Sequence, residues 1–235
     1  MLTIFQSSVS NVRELKRQRT ALKRLFNRSL KLKDHSSFEA LKRLYSLLYS
    51  SFAEISFLKI INTPYGFSED EIVQIQAQRN LEQKWIKCLE LAFQRIANIT
   101  NKGEIQNKRQ ILERLIQTFI IEPSQLRNKI AHGQWIIALN NDNTAINNET
   151  TQRINNLDFV KIDILFTLYE KIGQVVEDLI ESPQKTHFRD FYFHITELEQ
   201  LVDETSNWTL ASKILVLEQT WQRQEKIKGE KALSK

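Results

Sequence analysis

Apolar residues recur at steps of three and four along most of the chain, the spacing of one face of an α-helix. Leu15, Leu22, Leu25 and Phe26 open the pattern. A longer run follows, with Phe38, Leu41, Leu44, Leu48, Phe52, Ile55 and Leu58, and stops before Pro64. Ser36 and Glu39 have the spacing of a capping box at its start, and Ser68 with Glu71 repeats that spacing one helix later. This next helix is expected from Glu69 to Asn98, with Ile72, Ile75, Leu81, Trp85, Leu89 and Phe93 inward and Cys88 among them as a small hydrophobe. Past Asn101-Lys102-Gly103, the stripe Ile111, Leu112, Leu115 and Phe119 predicts a helix from Glu104 to Ile120. Asp158 can cap another, Phe159 to Glu181, which turns Ile162, Phe166, Tyr169, Ile172 and Val176 inward and ends at Ser182-Pro183. Helices at His187 to Glu204 and Thr209 to Lys228 complete the series, and the tail from Gly229 is expected to fray.

One stretch has a different texture. Trp135 to Leu139 is a short apolar run, Asn140 to Thr144 is rich in turn formers, and Ala145-Ile146 follows, which predicts a small β-hairpin. The polar residues from Asn147 to Asn156 read as a loop, with room for a brief further strand, and serve either as a wall of the site beside the motif helix or as an ordinary surface excursion. Five Gly and three Pro in 235 residues leave few turn signals, so the helices are long and the connections short. The fold class expected is all-α: an antiparallel helical bundle with a β-hairpin or loop insertion. Residues 1–235 read as a single domain, in which 183–235 either completes the bundle or forms a C-terminal helical appendage.

Composition narrows the chemistry. A hydrophobic share of 41% suffices for a core, and 26% charged residues is ordinary for a soluble chain. Cys88 is the sole cysteine, which excludes a disulfide framework and a thiolate metal cluster. No continuous apolar run reaches the ~18 residues of a membrane span. The first ten residues lack a basic stretch followed by an apolar one. A cytoplasmic protein without a membrane partner is expected.

Charge is unevenly placed. From Asn11 to Asp34 nine basic residues face Glu14 and Asp34, so this segment carries +7 of a net +5 and the remainder of the chain −2. An amphipathic basic helix of this kind is either a solvated face or an electrostatic footprint for nucleic acid. Arg13, Lys16, Arg17, Lys23 and Arg24 are its candidate RNA contacts.

The stretch that organises the chemistry runs from Glu122 to Trp135. Pro123 suits a first helical residue, since the N–H it lacks would go unpaired there. Gly133 suits the stop, because it turns left-handed at no steric cost. A helix of about ten residues, roughly 15 Å long, fits between them. Leu126 and Ile130 form its apolar stripe, while Asn128 and His132 stack one turn apart on another face. His132 ends the helix, beside carbonyls that favour a positive charge. A guanidinium from Arg127, an amide and an imidazole on one short helix suit an anion, above all phosphate, with Lys129 as a further RNA contact.

Arg127-Asn128-Lys129-Ile130-Ala131-His132 resembles the signature of the HEPN superfamily, and Gly133-Gln134-Trp135 is similar to its context in several HEPN families. The resemblance implies a HEPN-type helical bundle and a metal-independent endoribonuclease whose composite active site forms at a homodimer interface. Arg127, Asn128 and His132 would be its catalytic residues, and 2′,3′-cyclic phosphates its products. Many members are toxins or antiviral defence effectors, some held by an antitoxin or another regulatory protein. Some carry a modifiable Tyr two residues after the His, where this chain has Gln134.

The residues support that chemistry in part. RNA cleavage without metal needs a base for the 2′-hydroxyl, an acid for the leaving 5′-oxygen and donors for the charge that builds between them. Imidazole alone does either proton job at neutrality without a perturbed pKa. One His132 per chain cannot fill both roles, whereas a two-fold dimer supplies a pair. A second segment, Arg189-Asp190-Phe191-Tyr192-Phe193-His194, has the same spacing, but its aromatic filler assigns it to a core helix. No phosphate-binding loop, dinucleotide turn or Gly-x-Ser-x-Gly elbow is present, and His35, His187, His194 and Cys88 are not at metal-ligand spacings. No cofactor is called for. Two other readings fit the same residues: a non-catalytic helical module that binds RNA or a partner protein, and an adaptor in which Arg127 and His132 are structural.

Overall fold

The computed structural model describes residues 2–97 and 101–233, and among them every regular element is helical. Helices α1 (Leu2–Lys31) and α2 (His35–Ile61) form a long hairpin turned at Lys33, whose φ is 54°. Asp34, not Ser36, caps α2. Its two carboxylate oxygens accept from Ser37 N at 3.0 Å and Ser37 Oγ at 2.6 Å. Glu39, expected to reach back to the cap, pairs instead with Lys42 at 2.8 Å.

Ser68 and Glu71 do form a capping box at the start of α3 (Glu69–Gln76). The helix expected to continue to Asn98 breaks there: Asn80 is extended (φ −142°, ψ 170°) and its Oδ1 accepts from Gln83 N at 2.9 Å, starting α4 (Leu81–Gln94). Asn98 itself lies outside the described residues. The expected break before the motif helix is absent. Helix α5 (Lys102–Ile116) runs through a π-helical segment, Gln117–Ile121, straight into α6 (Glu122–Ala131). Pro123 brings no N–H to this turn, and the Phe119 carbonyl four residues earlier accepts from Tyr49 Oη of α2 at 2.7 Å. A side chain from the neighbouring helix thus replaces the missing rung.

Helices α7 (Asn148–Asn155), α8 (Phe159–Glu181), α9 (Thr186–Thr205) and α10 (Leu210–Leu233) complete the chain. The segment expected to fray is helical through Leu233, and Ser234-Lys235 lie outside the described residues. Helix α8 is the central post. Phe159 stacks on Phe26 at 3.6 Å and on Tyr45 at 4.3 Å, and Phe166 meets Tyr49 and Phe52 at 5.2 and 5.1 Å. Rings buried in this way contribute about 1.5–3 kcal/mol each. Helix α2 is long and apolar enough by length and composition to cross a membrane, and 56% of its most apolar window is buried inside the fold. Helix α9 adds Phe191, Ile195 and Leu198 to the same core. Helix α10 is mostly exposed and touches α1 through Lys31 and Glu225, 3.5 Å apart.

The basic segment of α1 is partly spent inside the fold. Asp163 of α8 accepts from Arg19 Nε at 2.8 Å, Lys23 Nζ at 2.6 Å and Tyr45 Oη at 2.6 Å. Burial pushes the Asp163 carboxyl up, but the Lys23 and Tyr45 hydrogen bonds and the Arg19 charge outweigh it and hold the group below its ordinary value.

Candidate active site

Helix α6 presents its residues to two different neighbours. Asn128, Lys129 and His132 line an open groove of about 890 Å³, walled on the far side by Asn141, Asn143 and Arg153. Asn128 and His132 are exposed, so the imidazole is reachable from solvent. Arg127 is absent from this lining. Its guanidinium is ion-paired with Glu54 of α2, while its Nε is shielded and bonds nothing. Three of the four basic or polar groups expected together on α6 therefore meet, and Arg127 does not join them.

The residues after His132 fix its position. Gly133 has φ 80°, and the turn closes with Gly133 N on Ile130 O at 3.1 Å and Gln134 N on Lys129 O at 2.9 Å. Trp135 Nε1 donates to Ile130 O at 3.0 Å, and its own carbonyl accepts from Arg43 Nε at 3.1 Å. The Gly-Gln-Trp stretch is thus a clasp on the helix end. Gln134 extends it, its Oε1 accepting from Leu139 N at 2.8 Å.

The hairpin expected after the motif reduces to one antiparallel bridge, Leu139 to Ile146, with Asn140 N on Ala145 O and Asn147 N on Ala138 O, both at 2.8 Å. Asn140 Oδ1 takes the Thr144 and Ala145 amides, at 2.9 and 3.3 Å, and so closes the turn internally instead of through longer strands. The stretch expected as a loop contains α7. Asn147 caps it, accepting from Thr150 N at 2.9 Å, and Ile154 joins Ile130 and Ala138 in a small second core. That core joins α6, the insertion and α7 beneath the groove.

The stretch from Asn147 to Asn156, expected as a candidate wall of the site, lines the groove through Asn147, Thr150 and Arg153, and Arg153 is a cation that the sequence reading did not single out. The signal available was weak: Asn147 is a residue type that caps helices, and Glu149 is an acid that suits a first turn. Among the described residues no carboxylate belongs to the groove lining, while Lys129, His132 and Arg153 do. A lining with cations and no carboxylate offers donors suited to an anion. Lys129 Nζ also reaches Asn140 O at 3.3 Å.

The other expected RNA contacts lie on α1, and none lines the groove. Lys16 pairs with Glu170 at 3.4 Å, Arg17 with Glu14 at 2.9 Å and Lys23 with Asp163 at 2.6 Å. Arg13 and Arg24 are exposed and form no ion pair among the described residues.

Arg189 and His194 of the second segment are turned to carboxylates: Arg189 to Asp190 at 2.7 Å, His194 to Asp178 at 3.6 Å. The helix is less buried than its aromatic filler implied, since Phe191 enters the core but Tyr192 and Phe193 are exposed. Beside it, His187 is fully buried with its Nε2 3.4 Å from Lys108 Nζ, and Lys108 lies over the rings of Phe188 and Phe191 at 4.8 and 4.9 Å. Burial first and the Lys108 charge second push the His187 imidazole down to about 4. Comparison with known protein families, curated proteins and solved structures finds no match to this chain.

Proposed function

We propose that the groove beside α6 is the active site of a metal-independent endoribonuclease of HEPN type, completed by a second copy of the chain. The observation that carries this reading is an exposed His132 in a cleft with Asn128, Lys129 and Arg153 and no carboxylate. A phosphodiester there meets cationic and amide donors beside an imidazole, the side chain suited to both proton roles. One His132 removes the 2′-hydroxyl proton, and its counterpart in the other copy protonates the leaving 5′-oxygen. The 2′-oxygen closes on phosphorus as the P–O5′ bond breaks, leaving a 2′,3′-cyclic phosphate and a 5′-hydroxyl.

The dimer draws on a second feature. Ile136, Ile137 and Ile146 are exposed on the insertion that forms the groove wall. A neighbouring copy of the chain would cover them while bringing its own α6 close. Action as a toxin or defence effector in the cytoplasm, held by an antitoxin-like partner, extends the proposal from the family resemblance.

The test is purified protein incubated with end-labelled RNA in EDTA, with analysis of the product ends. Cleavage to 2′,3′-cyclic phosphates that disappears in His132→Ala is expected. A second reading, an RNA-binding module without catalysis, is favoured by one observation: Arg127 is held by Glu54 and does not line the groove. Under it the unmutated chain binds the RNA and leaves it intact.

A further inference from the structure

We propose that Arg153 of α7 is the guanidinium that holds the RNA phosphate in the groove, and that Arg127 is a positioning residue that fixes α6 against α2. This inference rests on the reading of the groove as an RNA site and changes which arginine meets the ligand.

Arg127 is committed elsewhere. Its side chain is 19% exposed, its guanidinium is taken by Glu54, and it does not line the groove. A phosphate that recruited it would first have to break an ion pair between two packed helices. Arg153 has no such debt. It is exposed, lines the groove and forms no ion pair or side-chain hydrogen bond among the described residues. Glu149 sits four residues earlier, a spacing that favours pairing on a helix, yet the two are not paired among the described residues. All five donors of a free guanidinium remain available for a bidentate grip on phosphate.

The backbone under Arg153 is also held in register with His132. Ile154, the next residue, is 1% exposed and packs with Ile130 of α6. One turn back, Thr151 Oγ1 accepts from Ala138 N at 2.9 Å and donates to Asn147 O at 2.7 Å. The guanidinium and the imidazole therefore stand on elements joined through one small core. Lys129, half occupied by the Asn140 carbonyl, is the secondary cation.

The experiment measures binding of a short labelled single-stranded RNA to the full chain in a His132→Ala background, alongside cleavage by the chain with His132 intact. Arg153→Gln is expected to weaken binding about ten- to a hundredfold, the loss of charge-assisted hydrogen bonds, at an unchanged melting temperature. Glu54→Gln is expected to lower the melting temperature and leave RNA affinity where it was. If Arg127 were the phosphate ligand, releasing it from Glu54 would tighten binding. The exchange Glu54→Arg with Arg127→Glu is a further arm, expected to restore the melting temperature while RNA affinity stays where it was; a loss of affinity in the exchanged chain also overturns the inference. Unchanged binding in Arg153→Gln, or tighter binding in Glu54→Gln, overturns the inference. If Arg153→Gln loses RNA but no form of the chain cleaves it, the inference stands and the catalytic reading falls. If the chain cleaves RNA and Arg153→Gln is indifferent, the reverse holds. A chain that binds no RNA overturns both.

Discussion

Arg127–His132 and Arg189–His194 share one spacing, and the two segments stand in different chemical surroundings. His132 ends its helix at Gly133 and opens on a cleft with no carboxylate in its lining. His194 lies inside α9, 3.6 Å from Asp178 and 3.8 Å from Glu197, and its Arg189 faces the adjoining Asp190. The first segment gives Arg127 to Glu54 but presents the Asn128 amide and the His132 imidazole to the cleft. The second has its charges answered within the fold. Spacing fixes which residues share a helix face, but the neighbouring elements decide whether that face has anything left to offer a ligand.

The largest effect that separates the two belongs to the imidazoles. His132→Ala is expected to lower RNA cleavage by about 10²–10⁴-fold, the range for loss of a general acid or base, while His194→Ala leaves the rate unchanged. Circular dichroism melts of both variants would confirm that the fold survives. Ile137→Asp tests the composite site: a charge on the exposed apolar wall is expected to shift the chain to monomer by analytical ultracentrifugation and to remove cleavage with it.

Acid sharpens the comparison from the other side, since the surroundings of the second segment include His187. The folded ring stays neutral down to about pH 4, whereas the unfolded ring takes its proton near pH 6.5. Stability from this group is complete above pH 6.5 and is lost as pH falls toward 4, by at most about 3 kcal/mol. Urea unfolding across that range measures it, and His187→Phe is expected to flatten the profile. Gly133→Ala is a smaller perturbation. A Cβ there meets no atom within 4 Å, so the cost is the left-handed backbone itself, about 1 kcal/mol. Asp190→Ala is expected to change neither melting temperature nor cleavage, because its pair with Arg189 is on the surface.

The helical class was readable because an apolar stripe at steps of three and four must be buried against something, and α2, α5 and α8 carry such stripes at length. Boundaries were less readable. Ala77-Gln78-Arg79 are good helix formers that carry the apparent run onward, and the one local sign of a new start is Asn80, a capping residue type with Gln83 three positions on. The run through Pro123 depends on Tyr49, 74 positions earlier in the sequence, which no local pattern can supply. Helix α7 was hidden for a related reason. Asn, Thr and Thr favour caps and turns, and an eight-residue helix is held by Ile154 and Thr151 rather than by propensity.

Of the site, Asn128 and His132 were legible from their four-residue spacing, and Gly133 from its place at the helix end. Arg127 was not, because its partner is Glu54 on another helix. Part of the basic character of α1 likewise has its partner on another helix. Asp163 lies between Ile162 and Phe166 on an inward stripe, and a carboxylate there demands a cation from elsewhere. Arg19 and Lys23 supply it, so their charge belongs to the fold.

The most direct test of the central claim, that two copies of His132 act on one phosphate, is titration of the unmutated chain with His132→Ala. The two are mixed and re-equilibrated at fixed total protein, and RNA cleavage in EDTA is followed with time. A composite site is expected to lose activity as the square of the unmutated fraction, because every mixed dimer lacks one His132. Activity that falls only in proportion to the unmutated fraction, or cleavage by His132→Ala at the unmutated rate, would contradict the account.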